Sequence, residues 1–178
     1  MVFSYALSEI LDAADGYFAR KLNQCSKFGE VLDMVTDRCT TTCLLTYLAQ
    51  LYPKFAMIFC FLISLDISSH YMQMYASLSS GNSNHKIMDK NAHPILKAYY
   101  TNRSVLFWFC FGNEAFFIVS YYIYYISGPG YYFLLALLIA SFPIFAIKNT
   151  INVVQLYESS KQLAIADAAN LNKANSKK

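Results

Sequence analysis

The chain has 178 residues, of which 56% are hydrophobic and only 14% are charged, and its formal net charge is +3. A soluble domain usually carries about 25% charged residues. Too few polar side chains remain here to cover a soluble core of this size, so the composition excludes an ordinary soluble globular domain and indicates an integral-membrane protein.

Hydrophobic stretches and turn residues divide the chain into five predicted helices. They lie at residues 1–23, 29–51, 55–78, 103–127 and 130–157. Pro53 marks one break, and the Gly128-Pro129-Gly130 run marks another. Residues 130–147 carry no charge and approach the roughly 20 apolar residues that cross a bilayer. We therefore expect an all-α, polytopic membrane bundle of about five transmembrane helices, in one domain of residues 1–160.

Basic residues predict the orientation of this bundle. If the turn between the first two helices faces the cytosol, Lys54 falls on the far side and every other Lys and Arg falls on the cytosolic side. Such a bias is typical of membrane proteins, whose cytosolic loops are enriched in Lys and Arg. We expect residues 161–178 to form a basic cytosolic tail, as a helix that frays into a flexible end.

Four aspartates lie on the first two predicted helices. Asp12 and Asp15 share one helix face, because they are three residues apart, and Asp33 and Asp37 share another, because they are four apart. Only a short connection within residues 21–28 separates the helices, so they can pack antiparallel and bring the carboxylates together. One or two such residues would fit ordinary charges at the membrane interface, but four on two facing stripes fit that interpretation poorly.

Crowded carboxylates at membrane depth need cations or protons. Oxygen-only ligands favour hard divalent ions such as Mg²⁺ or Mn²⁺. Two such ions close together serve displacement reactions at phosphorus, where they neutralise phosphate oxygens. Arg20, on the same helix as Asp12, supplies positive charge for a phosphate group.

These residues also carry a resemblance to a known family. The pattern D-x2-D-G-x2-A-R-x8-G-x3-D-x3-D resembles the signature of the CDP-alcohol phosphotransferase family. Its fixed positions are all present, as Asp12, Asp15, Gly16, Ala19, Arg20, Gly29, Asp33 and Asp37. Within that family the chain is most similar to the eukaryotic phosphatidylinositol synthases. Further similar stretches are LDMVTDRCTTTCLL, SLDISSHYMQMY, NHKIMDKN and FGNEAFF.

The resemblance implies a reaction and roles for the aspartates. The enzymes in question transfer the phosphatidyl group of CDP-diacylglycerol to myo-inositol, release CMP and use two Mg²⁺ or Mn²⁺ ions. By position, Asp12 and Asp33 would bridge both ions, Asp15 would bind the first and Asp37 the second. Asp37 would also be the catalytic base that takes the proton from the attacking hydroxyl group.

The resemblance further implies substrate contacts and a cellular setting. Gly16, Arg20 and Ser26 would contact the head group of CDP-diacylglycerol. The protein would be a multi-pass enzyme of the endoplasmic reticulum membrane and a homodimer, with its active site and C-terminus facing the cytosol. No nucleic acid is expected as a partner. Family members usually have six transmembrane helices, so we expect this chain, with five, to lack the first.

Several alternatives remain open at this point. The same signature occurs in enzymes that use other alcohols, such as glycerol 3-phosphate, and a chain without the first helix could be a non-catalytic membrane subunit. Asp66 and His70, four residues apart, either help to bind inositol or form a mutually satisfied polar pair. Residues 85–90 belong either to a cover for the acceptor pocket or to a solvated loop.

Overall fold

The computed structural model describes residues 2–79 and 102–176 of the chain. In this part the protein has five α-helices and one short 3₁₀-helix, and no strand. The α-helices are α1 (Val2–Lys21), α2 (Lys27–Leu51), α3 (Ala56–Ser79), α4 (Arg103–Tyr125) and α5 (Pro129–Asn175), and the 3₁₀-helix (Pro53–Phe55) precedes α3. The described part does not include the segment that was expected to be a pocket cover or a solvated loop, with His85, Lys86, Asp89 and Lys90.

The predicted helices agree with the observed ones, except at the last C-terminus. α5 continues to Asn175, past the predicted end at residue 157. The starts follow local chemistry. Asn102 caps α4, because its Oδ1 atom accepts a hydrogen bond from the Ser104 N–H at 3.0 Å. Pro129 begins α5 after Gly128, whose φ of 75° is in the left-handed region that favours glycine.

Within residues 2–79 and 102–176, three helical segments are long and apolar enough to cross a membrane. They are Pro53–Ser79, Ser104–Tyr125 and Pro129–Asn172. The prediction of an all-α membrane bundle is thereby confirmed. α1 and α2 are not among these segments, since both carry several charged residues. Membrane crossing by α1 and α2 stays a prediction.

The described chain forms two compact units, and the first comprises Met1–Ile63 and Asn113–Pro143. Its core follows one face of α2, where Leu44, Leu45 and Leu48 are almost fully buried. The Tyr52 hydroxyl donates a hydrogen bond to the Ser120 carbonyl at 2.8 Å and joins the end of α2 to α4. α1 packs against α2 within this unit.

The second unit comprises Ser64–Gly112 and Ile144–Lys178. Ile151 is its buried apolar centre and packs against Leu106 and Phe109. Gly112 allows α4 and α5 to approach closely, because a Cβ atom there would lie 2.6 Å from the Ile144 Cγ2 atom. Further large apolar side chains are exposed on the outside, as on a lipid-facing surface. Examples are Phe107, Trp108 and Phe111.

Candidate active site

A tight turn ends α1 directly after the segment Asp12–Arg20, which carries the expected site residues of this helix. Asn23 has φ of 54°, a left-handed conformation that asparagine tolerates better than most residues. Its N–H donates to the Arg20 carbonyl at 3.4 Å, while the Gln24 N–H donates to the Ala19 carbonyl at 2.9 Å. This pair of hydrogen bonds is the Schellman arrangement, which satisfies the last carbonyls of a helix. α1 therefore stops sharply after Arg20 and Lys21.

Ser26 then starts α2. Its backbone is extended, with φ of −133° and ψ of 154°, and its hydroxyl accepts a hydrogen bond from the Gly29 N–H at 3.0 Å. A serine in this position satisfies a backbone donor that the first turn leaves unpaired. Gly29 suits the cap, since a Cβ atom there would lie 3.2 Å from the Ser26 hydroxyl oxygen. The predicted contact of Ser26 with the substrate head group stays a prediction.

A contact between α1 and α2 gives the register of the two helices. The Ser8 and Thr40 hydroxyl oxygens lie 3.5 Å apart. Asp12 follows Ser8 by one helical turn, and Asp37 precedes Thr40 by almost one turn. Both aspartates therefore occupy the next level towards the turn. The expected antiparallel arrangement of the two aspartate-bearing faces is consistent with this register.

The second pair of aspartates, Asp15 and Asp33, lies about one helical turn closer to the connection between α1 and α2. Asp15 lies six residues before the end of α1 at Lys21, and Asp33 lies six residues after the start of α2 at Lys27. At about 1.5 Å per residue, each is about 9 Å from its helix end. The two pairs are thus matched in height along the α1–α2 hairpin.

The side chains differ in exposure. Those of Asp15 and Asp33 are exposed, and that of Asp37 is half-buried. The side chain of Asp12 lies outside the described part of the structure. Among the side chains that are described, no three His, Cys, Asp or Glu residues are gathered closely enough to hold one ion. The donor set itself, carboxylate oxygens on two contacting helices, fits a hard divalent ion.

Arg38 lies beside the predicted catalytic base. Its Nη2 atom is 3.7 Å from the Asp37 Oδ2 atom, and both side chains are partly buried. At this distance Arg38 can balance the charge of Asp37. An adjacent cation stabilises the carboxylate form of an aspartate.

The Arg20 side chain packs over Gly16 on α1. The Arg20 guanidinium folds back along the helix, and its Nη1 atom lies 3.3 Å from where a Gly16 Cβ atom would stand. Glycine thus leaves the space that the guanidinium occupies, at the level of the aspartates. Two of the three residues that we expect to contact the substrate head group are therefore neighbours in the structure.

The Asp66–His70 pair lies in the second unit. The His70 Nδ1 atom is 3.5 Å from the Asp66 Oδ1 atom and 2.8 Å from the Asp66 carbonyl oxygen. A carbonyl oxygen only accepts hydrogen bonds, so Nδ1 carries the proton in this arrangement. The Ser69 hydroxyl also donates to the Asp66 carbonyl at 3.0 Å. This geometry matches the polar-pair interpretation of Asp66 and His70 and leaves the inositol-binding interpretation untested.

A buried polar stripe on α5 joins this pair. Lys148 Nζ donates to the Asn152 Oδ1 atom at 2.6 Å, and Asn152 Nδ2 donates to the Asp66 Oδ1 atom at 3.4 Å. Gln155 Nε2 donates to the Ser69 carbonyl at 3.1 Å. Our sequence interpretation missed this stripe. Its signal was the helical spacing of four polar residues after an apolar stretch: Lys148, Asn152, Gln155 and Ser159.

Comparison with known proteins identifies the family. The protein-family model described as CDP-alcohol phosphatidyltransferase matches residues 1–127, which include the whole α1–α2 hairpin. The chain belongs to the CDP-alcohol phosphatidyltransferase family. The expectation drawn from the aspartate signature is thereby confirmed at the level of the family.

Similar members of this phosphatidyltransferase family are named CDP-diacylglycerol–inositol 3-phosphatidyltransferase. One from Candida albicans is 48% identical and aligns with 92% of this chain and 70% of its own length. One from Schizosaccharomyces pombe is 44% identical, covering 92% of this chain and 77% of the relative. One from Homo sapiens is 42% identical, covering 93% and 79%. No solved structure matches the chain.

Proposed function

We propose that this chain is an enzyme of phosphatidylinositol synthesis, which transfers the phosphatidyl group of CDP-diacylglycerol to myo-inositol and releases CMP. The names of its relatives and its family membership support this reaction. The observation that carries it is the contact of α1 with α2, since the Ser8–Thr40 register is consistent with two aspartate pairs at matched heights. Aspartates on facing helices are suited to phosphoryl chemistry.

Asp12, Asp15, Asp33 and Asp37 would hold two divalent ions, Mg²⁺ or Mn²⁺. The support is their oxygen-only chemistry and their position on two contacting helices. Bound there, the ions would neutralise pyrophosphate oxygens and stabilise the leaving CMP. Exposure of Asp15 and Asp33 is consistent with ligands that enter from solvent.

Asp37 would act as the general base. In the reaction an inositol hydroxyl oxygen forms a bond to the β-phosphorus, the bond from that phosphorus to the bridging oxygen of CMP breaks, and the hydroxyl proton passes to Asp37. Its carboxylate needs to be ionised beforehand, and Arg38 at 3.7 Å favours that form. A base must also lie within hydrogen-bond reach of the hydroxyl group that it deprotonates.

Arg20 and Gly16 would bind the head group of CDP-diacylglycerol, and Ser26 would contact it from the turn. A guanidinium offers several N–H donors to phosphate oxygens in a planar arrangement. Folding of Arg20 over Gly16 keeps these donors close to the aspartate level of α1.

We further propose that the protein works in the endoplasmic reticulum membrane as a homodimer, with the hairpin turn and the C-terminus in the cytosol. The basic residues near the turn and in the tail support this orientation. A water-soluble acceptor and a lipid donor would then meet at the cytosolic surface, where the short turn ends both helices.

Product formation by the purified chain tests the proposal. The protein is supplied with CDP-diacylglycerol, labelled myo-inositol and Mn²⁺ or Mg²⁺, and labelled lipid and CMP are measured. We expect equal amounts of both products, and their loss with EDTA and with Asp37→Asn. Labelled glycerol 3-phosphate serves as the competing acceptor. A folded chain that forms no labelled inositol lipid, or that prefers glycerol 3-phosphate, would contradict the proposed reaction.

A further inference from the structure

α1 is held at its N-terminal half by a buried tyrosine. Among the side chains of α1 that the structure describes, Tyr5 alone is buried, with 4% of its surface exposed. Its hydroxyl donates a hydrogen bond to the carboxylate of Glu114 on α4, in the same compact unit. α1 therefore has a second anchoring point in addition to its contact with α2.

Glu114 is unusual for its place in the fold. It lies near the middle of the candidate membrane span Ser104–Tyr125. A carboxylate at such a depth is costly unless hydrogen-bond donors surround it. Tyr5 donates to its Oε2 atom, and the Asn113 side-chain amide donates to its Oε1 atom at 3.3 Å. An apolar residue would avoid this cost, so the carboxylate calls for a specific explanation.

The contacts of α1 lie on the face that carries its aspartates. Asp12 follows Tyr5 by seven residues, which is almost two full turns, and Ser8 lies between them on the same side. Tyr5 contacts α4 and Ser8 contacts α2, one turn apart. Two contacts at different heights and with different helices resist both rotation of α1 about its axis and sliding along it. Position 12 is the next turn of the same face.

We infer that Tyr5 and Glu114 are positioning residues, whose hydrogen bond aligns α1 so that its aspartates face α2 in the arrangement that binds divalent cations. The inference rests on the proposed role of the aspartates as metal ligands. A metal site is sensitive to such support, because groups that orient the ligands typically alter metal affinity by about 10–100-fold. Tyr5 and Glu114 both lie outside the aspartate signature, and Glu114 falls within the similar stretch FGNEAFF.

Mn²⁺ binding by the purified full chain in lipid nanodiscs tests the inference, with the electron paramagnetic resonance signal of free Mn²⁺ as readout. Tyr5→Phe and Glu114→Leu each remove the hydrogen bond and are expected to weaken Mn²⁺ binding by about tenfold. Glu114→Gln keeps an oxygen that accepts from Tyr5 and should bind Mn²⁺ like the unchanged protein. Tyr132→Phe, at an exposed tyrosine, is the matched control.

Two results would overturn the inference. If Tyr5→Phe and Glu114→Leu keep the Mn²⁺ affinity and only lower the thermal unfolding midpoint, the contact has a purely structural role. Equal weakening in Glu114→Gln and Glu114→Leu would assign the effect to charge instead of the hydrogen bond. Tyr5→Phe loses a single hydroxyl, so it remains informative if Glu114→Leu does not fold.

Asp33→Asn separates the inference from the function on which it rests. Weakened Mn²⁺ binding in Asp33→Asn beside unchanged binding in Tyr5→Phe would reject the positioning role alone. Unchanged binding in Asp33→Asn would reject the aspartate metal site, and the inference with it.

Discussion

Two polar regions of this membrane protein differ in the exposure of their side chains. On the α1–α2 hairpin, the side chains of Asp15 and Asp33 are exposed. On α5, Lys148, Asn152 and Gln155 are at most 5% exposed, and each makes a hydrogen bond inside the second unit. Polar groups paired with one another mainly stabilise and orient a fold, whereas exposed carboxylates remain accessible to ligands. The comparison predicts that substitutions on the hairpin reduce activity, whereas substitutions in the buried stripe on α5 reduce stability.

The largest expected effect is on activity. Asp33→Asn removes a negative charge from the proposed metal site, so the rate of lipid formation should fall by at least about 100-fold. The thermal unfolding midpoint should change little, because Asp33 is exposed. Initial rates and unfolding curves of the same preparation check both statements. A marked loss of stability in this variant would break the comparison.

The second prediction concerns the buried stripe. Asn152→Leu removes one hydrogen bond from Lys148 and one from Asp66, which should lower the free energy of unfolding by about 1–3 kcal/mol. The shift of the thermal midpoint in nanodiscs measures the effect. Val153→Leu changes the neighbouring, exposed position and serves as the control. Equal midpoints for the two variants would count against a stabilising stripe.

A smaller effect is expected where Gly16 accommodates Arg20. Gly16→Ala places a methyl group 3.3 Å from the guanidinium Nη1 atom, so the guanidinium must shift. The KM for CDP-diacylglycerol should rise by less than about tenfold, which corresponds to less than about 1.4 kcal/mol. If Gly16 acts through Arg20, the substitution should add nothing in an Arg20→Ala background. Additive effects of the two substitutions would refute that coupling.

The smallest effect separates two roles of Ser26. Ser26→Ala removes the cap of α2 and should cost about 1 kcal/mol of stability. Ser26→Asp retains a capping oxygen, so its unfolding midpoint should match the unchanged protein. If Ser26 also contacts the head group, the added negative charge should raise the KM for CDP-diacylglycerol in this variant. A normal KM in Ser26→Asp would limit Ser26 to the cap.

Much of this architecture could be predicted from local patterns. Proline, glycine and apolar runs indicated the five helices, and the spacing of Asp12, Asp15, Asp33 and Asp37 indicated two facing stripes. These features depend on helical periodicity and on a short connection, both of which are readable along the chain. The family signature gave the reaction class for the same reason, since all of it lies in one hairpin.

What was missed depends on contacts between distant residues. The Tyr5–Glu114 and Asn152–Asp66 hydrogen bonds join positions 109 and 86 residues apart, and no local pattern specifies such partners. The last helix was expected to end near residue 157 and to be followed by a helical tail that frays, whereas α5 is one continuous helix to Asn175. Alanine and other helix formers continue α5 to Asn175.

The turn between α1 and α2 has a consequence for how such chains can vary in length. Asn23 ends one helix and Ser26 starts the next, so the hairpin is defined at both caps. A residue inserted between Asp15 and Lys21, or between Lys27 and Asp33, would turn one aspartate pair by about 100° away from the other. Single-residue insertion scanning should therefore find a sharp loss of tolerance within the helical parts of the segment Asp12–Asp37.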